Sequence, residues 1–189
     1  MRILYAKDYK RMPWKNGGGE TVEIAVFPPD ASVETFDWRI SMATVASDGP
    51  FSSFPGIDRT LSILEGDGMA LAIEDRTPVL LTQESAPLPF PADVRVHATL
   101  PSGPITDLNV MTRRAKWRHN VTKHIGALQV TAPLGAVLVL ALDPLSVSVA
   151  GTDLRLSALD SLLAESVTPF SVTPDHAGGA FFLIELAQL

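Results

Sequence analysis

Two strand-like segments carry arginine, acid and amide side chains that could bind a small ligand. Arg39 lies in the middle of one alternating segment, and Asp107 and Asn109 share one face of another. Polar side chains on one strand face indicate either an exposed face or the wall of a polar cavity. In a cavity these residues would supply the arginine fork and the neutral donors that a carboxylate needs. A salt bridge with Glu23 is an alternative role for Arg39, and the two roles are compatible.

The stretch 37–59 joins two predicted strands through a loop that mixes charged and aromatic residues. It begins as a strand, with Arg39 and Ser41 on one face and Trp38 on the other. Glycine and proline then break the chain twice, before a new strand begins at Arg59. Such a loop at the mouth of a β-structure is typical of a binding site. It is equally consistent with a crossover whose two phenylalanines fill the core.

A glycine-rich segment, 12–20, precedes the predicted strand 21–27. Three consecutive glycines allow a close approach of the backbone to another group. The segment lacks the spacing of a phosphate-binding loop and no helical pattern follows it. It therefore predicts either a backbone wall for a ligand, to which Gly18 would contribute, or a bulge.

The residue types argue against most covalent and metal chemistry. There are no cysteines, and no G-x-S-x-G motif surrounds a serine. The four histidines form no His-x-His pair of the kind that a metal-binding β-barrel uses; they are His97, His119, His124 and His176. We therefore expect no metal, no cofactor and no nucleophilic catalysis.

Charge and hydropathy limit the partners. The net charge is −6, and the one basic cluster, 113–118, is interpreted as part of a polar connector over 112–124, so we expect no nucleic-acid partner. No apolar run is long enough to span a membrane, and the N-terminus has no apolar signal core. We expect no membrane partner, and a cytoplasmic location is compatible with these features.

An internal repeat organises the strands. Residues 61–73, interpreted as a hairpin about Glu65–Gly68, align without gaps on residues 137–149. Short strands separated by Gly and Pro turns continue through the chain, and no confident amphipathic helix is found. The pattern predicts an all-β protein built from two similar barrels or jelly rolls.

Three stretches carry a resemblance to a known family: MPWKNGGGETVEI, FDWRISMATVASDGPFSSFPGIDRTLSILEGDG and DLNVMTRR. They resemble the HutD/Ves family over essentially the whole chain, the second half mainly by pattern. The resemblance implies a bicupin, with one cupin-like barrel at 1–112 and another at 113–189, closely packed and with N-terminal strands that may be shared. It also implies a regulatory role in histidine utilisation, with small carboxylates such as urocanate or formylglutamate as ligands.

These observations predict a metal-free small-molecule-binding protein that regulates or buffers histidine utilisation. A metal-independent isomerase or hydrolase acting on a similar acid is the alternative. The site is expected in the first barrel, because the matching strands of the second are almost wholly apolar, with Arg39 as the carboxylate contact. A homodimer through the barrel edges is also expected. The predicted site residues are Trp14, Asn16, Gly18, Glu23, Trp38, Arg39, Ser41, Arg59, Asp107 and Asn109.

Overall fold

The computed structural model describes residues 1–14, 17–131, 135–165 and 168–189. In these ranges the regular structure is antiparallel β-strand apart from one turn of 3-10 helix, Ala6–Asp8, and no helix is long and apolar enough to cross a membrane. The strands are β1 Arg2–Leu4, β2 Lys10–Pro13, β3 Gly19–Phe27, β4 Trp38–Val45, β5 Gly49–Pro50, β6 Ile57–Glu65, β7 Met69–Ile73, β8 Val79–Leu81, β9 Leu88–Pro91, β10 Val96–Thr99, β11 Ile105–Arg113, β12 Trp117–Ile125, β13 Leu128–Val130, β14 Ala136–Ala141, β15 Leu145–Val149, β16 Thr152–Leu156, β17 Ser161–Ala164, β18 Phe170–Pro174 and β19 Ala180–Gln188.

The chain forms two compact units, here called the first and second barrels. The first barrel is Lys10–Trp117, and the second combines Met1–Tyr9 with Arg118–Leu189. The first barrel has a six-stranded sheet, in the order β2-β3-β4-β11-β6-β9, and a four-stranded sheet, β5-β10-β7-β8. Apolar side chains from both sheets, among them Leu61 and Leu71, form its core.

The second barrel repeats this topology. Its five-stranded sheet has the order β1-β17-β14-β19-β12, and its four-stranded sheet is β13-β18-β15-β16. When the outer strands β1, β2 and β3 are set aside, the order β4-β11-β6-β9 of the first barrel corresponds to β12-β19-β14-β17 of the second. The order β5-β10-β7-β8 corresponds to β13-β18-β15-β16. The predicted repeat is therefore confirmed as a structural one, and β7 and β15 occupy the same positions in its alignment. The prediction of an all-β protein of two barrels is also confirmed.

The predicted hairpin over residues 61–73 is wrong. Strands β6 and β7 flank the turn as expected, but they belong to different sheets, as β14 and β15 do in the second barrel. Gly66 and Gly68 both have positive φ at this corner. A side chain at Gly68 would place its Cβ 2.4 Å from the Leu81 carbonyl oxygen, so the tight crossing requires glycine.

The N-terminal residues of the chain pair with strands of its second half. Residues Met1–Tyr9 belong to the second barrel, where β1 pairs with β17 and the Tyr9 hydroxyl donates to the Leu159 carbonyl over 2.8 Å.

The polar connector predicted over 112–124 is largely strand β12. Trp117, His119 and Val121 alternate there with more exposed residues, which is the two-residue period of a strand.

Candidate functional site

The inner face of the six-stranded sheet in the first barrel carries a polar band between two apolar clusters. On β4, Ala43 and Val45 belong to the apolar core. By strand alternation Arg39 and Ser41 lie on the same face, nearer the start of the strand. The register places Ser41 opposite Asn109 of β11. The predicted alternation of this segment is therefore correct, and the face that carries Arg39 is internal.

Six residues of this face form what we call the polar cluster. Strand β11 lies between the two strands that carry the arginines. Arg39 of β4 and Arg59 of β6 both pair with Met111 of β11, and Glu23 of β3 pairs with Ser41 of β4. All of them except Glu23 are buried, and Glu23 is nearly so. The polar cluster comprises Glu23, Arg39, Ser41, Arg59, Asp107 and Asn109.

Arg39 and Glu23 form an ion pair inside the barrel. The Arg39 Nε donates to Glu23 Oε2 over 2.6 Å, and both side chains are largely buried. This is the salt bridge considered in the sequence analysis. Because the two charges cancel and the Nε is occupied, Arg39 has less capacity left for a ligand than its position in the sequence suggested.

Arg59 is held differently, between two aromatic rings. Its guanidinium carbon lies 5.1 Å from the centre of the Phe51 ring and 5.5 Å from that of Phe54, which is cation–π geometry. The Nη2 of Arg59 donates a weak hydrogen bond to the Met111 sulfur over 3.6 Å. The Nε–H has no partner among the described residues, although Arg59 is only 8% exposed. Burial lowers the Arg59 pKa to about 10, against the raising effect of Asp107, so the group stays charged at neutral pH.

Asp107 is the most deeply buried acid of the polar cluster, at 1% exposure. Its Oδ1 accepts a hydrogen bond from Asn109 Nδ2 at 2.5 Å. Burial raises the pKa of this carboxyl to about 7, while the Arg59 charge, the Asn109 bond and a bond to the Ala43 backbone all lower it. Asp107 therefore exchanges a proton near neutral pH, where an ordinary aspartate is fully ionised.

The other predicted site residues lie elsewhere. The Trp14 indole donates to Thr21 Oγ1 over 2.8 Å and packs against the apolar core of the first barrel. Gly18 accepts a hydrogen bond from the Ala46 backbone through its carbonyl. Trp38 lies on the opposite face of β4, stacked on Phe27 at 5.7 Å, because it has the opposite parity to Arg39. Asn16 lies outside the described residues.

The predicted site residues do not include Phe51 and Phe54, which contact Arg59, although the loop that carries them is typical of a binding site. A tether fixes this loop from outside: Arg114 bridges Asp58 at 2.7 Å and Asp93 at 3.1 Å, and Asp93 also accepts from the Gly56 N–H. Arg114 and Asp58 are 56 residues apart in sequence. Contacts between residues so far apart do not follow from the local sequence. The aromatic character of the loop was therefore the only sequence feature that indicated its contacts with Arg59.

The described residues contain no group of three or more His, Cys, Asp or Glu side chains that could hold a metal. His97 is exposed, His124 stacks on Phe181, and His176 lies 3.5 Å from Asp143 at the surface. The polar cluster instead combines two cations, two acids and two neutral groups. This donor set suits an organic anion.

Comparison with known proteins identifies the family. A protein from the hutC 3′ region of Pseudomonas putida, of uncharacterised function, is 34% identical over 98% of this chain and 97% of its own. The solved structure of HutD from Pseudomonas fluorescens SBW25, described as a formate condition, has a TM-score of 0.86 at 32% identity, covering 100% of this chain and 98% of that one. A cupin 2 conserved barrel domain protein from Leptotrichia buccalis, covering 96% of this chain and 99% of its own, has a TM-score of 0.60 at 11% identity, which supports the cupin fold alone. The HutD family model matches residues 6–182, and the chain therefore belongs to the HutD family.

Proposed function

We propose that the first barrel binds a small carboxylate on the buried guanidinium of Arg59, without a metal. The observation that carries this proposal is the Arg59 Nε–H, which has no partner among the described residues. A buried donor without an acceptor costs about 1–3 kcal/mol, and more when it is charged. A carboxylate would satisfy it and could accept two parallel hydrogen bonds from the same guanidinium.

The neighbours of Arg59 support the same ligand class. Ser41 and Asn109 lie opposite each other on adjacent strands and add neutral donors to the polar cluster. The Phe51 and Phe54 rings exclude water from the guanidinium, which strengthens an ionic contact. Arg39, the contact proposed from sequence, is paired with Glu23, and we therefore assign it a supporting role beside Arg59.

The family context suggests which carboxylates to test. The resemblance to HutD/Ves implies a role in histidine utilisation, which the name of the Pseudomonas putida relative supports. The fluorescens HutD structure is described as a formate condition, and formate is the simplest carboxylate. We propose that the protein regulates or buffers histidine utilisation in the cytoplasm by binding urocanate or formylglutamate.

Calorimetric titration of both compounds tests the proposal. We expect Arg59→Ala to bind about tenfold to a hundredfold more weakly than the wild type, because a charge-assisted contact contributes about 1.5–3 kcal/mol. Arg155→Ala is the matched control: Arg155 is exposed in the second barrel, bonded to Asp175, and its loss should leave binding unchanged. Absence of wild-type binding at millimolar ligand would overturn the proposal. Equal binding by Arg59→Ala would remove Arg59 from the site.

A second candidate function is a metal-independent isomerase or hydrolase acting on the same acids. Asp107 favours it, because an acid–base group works best when its pKa lies near the operating pH, and that of Asp107 is raised to about 7. Nuclear magnetic resonance of either compound during long incubation with the protein would reveal turnover. Product that forms with the wild type and not with Asp107→Asn would favour the enzyme over the binding protein.

The partner predictions stay predictions. We propose a homodimer formed through sheet edges, and no nucleic-acid or membrane partner. The apolar side chain of Leu80 supports the homodimer, because it is 56% exposed on the edge strand β8 of the four-stranded sheet, and an edge strand presents unpaired backbone groups.

A further inference from the structure

We propose that a carboxylate group enters the polar cluster together with a proton, which is held on Asp107, so that binding adds no net charge to the interior. The inference rests on the proposed carboxylate binding at Arg59. It adds a role for Asp107 as the residue that compensates the negative charge of the bound carboxylate group. The argument is one of charge balance in a closed interior.

The ionised polar cluster is neutral before any ligand arrives. Arg39 and Arg59 carry the positive charges, and Glu23 and Asp107 carry the negative ones. A bound carboxylate would leave one uncompensated negative charge inside the barrel, which is strongly disfavoured in a low-dielectric interior. Protonating one acid removes that excess. The question is therefore which of the two acids accepts the proton.

The contacts single out Asp107. Glu23 keeps a direct partner, the Arg39 Nε at 2.6 Å, and its protonation would break that ion pair. Asp107 has no direct ion pair among the described residues; its carboxylate accepts from two neutral donors, the Asn109 amide at Oδ1 and the Ala43 N–H. A proton on its second oxygen leaves the Asn109 bond intact. It also turns the carboxyl into a donor toward a ligand.

No other buried charged group faces Asp107 from the described strands around it; the exposed Lys10 lies opposite Glu23 on the edge strand β2. On the same sheet, β3 contributes Glu23, β4 contributes Arg39, and β6 contributes Arg59. Across the core, the inner faces of β7 and β10 are apolar, with side chains such as Leu71 and Ala98. The charge of the described interior is therefore that of the polar cluster.

The energetics of Asp107 suit this exchange. Its pKa, raised to about 7 by burial, means that little free energy is needed to protonate it at neutral pH. A second anion beside Arg59 competes for the charge that keeps Asp107 ionised, which raises its pKa further. Binding then takes up a proton wherever the free protein has Asp107 ionised and the complex does not.

The experiment counts protons during titration of urocanate into the wild type. Titrations in HEPES and in Tris, whose ionisation enthalpies differ, give the number of protons taken up per ligand. We expect this number to approach one at pH 8 and to fall toward one half at pH 7, a range in which an imidazole such as that of urocanate is mostly neutral. We also expect the dissociation constant to rise about tenfold per pH unit above pH 7.

Asp107→Asn and Asp48→Asn form a matched pair of variants. Asp107→Asn should bind urocanate at pH 8 at least as tightly as the wild type, without proton uptake and without pH dependence. Asp48→Asn makes the same change at an exposed aspartate that accepts from the Leu100 N–H, and it should keep the wild-type proton count.

The outcomes separate this inference from the proposed function. Wild-type binding at pH 8 with the same heat in both buffers, or full proton uptake by Asp107→Asn, would overturn the inference and leave carboxylate binding standing. No binding at any pH would overturn both. If Asp107→Asn does not fold, the wild-type proton count and pH profile decide the matter by themselves.

Discussion

The two barrels share one topology but differ in the chemistry of their interiors. The repeat alignment places Gly135 of the second barrel where the first has Arg59. The registers of β6 with β11 and of β14 with β19 place Leu183 at the position of Asp107. The second barrel has a continuous apolar core, and its one buried acid among the described residues, Asp160, accepts from the backbone N–H groups of Ala6 and Ser157 instead of facing an arginine. The charges of the first barrel cost stability, and we attribute their presence to ligand binding.

The largest expected effect comes from copying the acid of the first barrel into the second. Leu183→Asp would bury a carboxylate with no cation at the Arg59-equivalent position, which is Gly135. We expect it to lower the free energy of unfolding by about 3–5 kcal/mol, the cost of an uncompensated buried charge. Chemical denaturation followed by circular dichroism measures this effect.

Leu183→Met is the control for this change, because a volume-conserving apolar exchange costs less than about 1.5 kcal/mol. If Leu183→Asp were no more destabilising than Leu183→Met, the second interior would tolerate charge. The contrast between the two barrels would then lose its energetic basis.

The free energy of unfolding should depend on pH through Asp107 in the first barrel. The Asp107 pKa is about 7 in the folded protein and near 3.8 when unfolded, so between these values the folded state binds the extra proton. Stability from this residue is therefore highest near pH 4, falls as pH rises to 7 and is constant above. The shift of about three pKa units sets an upper limit of about 4 kcal/mol. Asp107→Asn should remove this slope.

Fluorescence reports mainly on the first barrel. Trp14 and Trp38, two of the three tryptophans of the chain, lie within it, and Trp117 is its last residue, at the start of strand β12. Urea denaturation at pH 4.5, 6 and 7.5 should show a wild-type midpoint that falls with pH relative to Asp107→Asn. Parallel slopes for the two proteins would contradict the assignment.

Most of the candidate site could be predicted because it follows the local period of a strand. Alternation alone put Arg39 and Ser41 on one face, and Asp107 and Asn109 on another, and the structure brings these faces together. The same rule, applied strictly, would have excluded Trp38, which has the wrong parity. It was included as an aromatic wall for a ligand, and the structure instead stacks it on Phe27.

What the sequence did not predict depends on contacts between distant segments. A Gly-Asp-Gly turn is compatible with a hairpin and with a corner between sheets, and only the partners of β6 and β7 decide between them. Strand β12 was interpreted as a connector because its polar residues concealed the alternation of Trp117, His119 and Val121. Burial of Arg59 between two rings likewise requires the folded loop.

The smallest expected effect concerns the tether that the Arg114 side chain forms to hold this loop. Arg114 is half exposed, and it joins the loop to Asp58, Asp93 and the Ile57 carbonyl. Exposed ion pairs contribute at most about 1 kcal/mol each, so Arg114→Ala should change overall stability little.

Arg114→Ala should nevertheless weaken urocanate binding about twofold to fivefold, because the loop that carries Phe54 loses the side-chain bonds from Arg114 to Asp58, Asp93 and the Ile57 carbonyl. Calorimetric titration beside the Arg155→Ala control checks this effect, since Arg155 forms a similar exposed ion pair in the second barrel. An unchanged affinity in Arg114→Ala would mean that the rings hold their place on Arg59 by packing alone. A loss as large as that of Arg59→Ala would mean that Arg114 contacts the ligand itself.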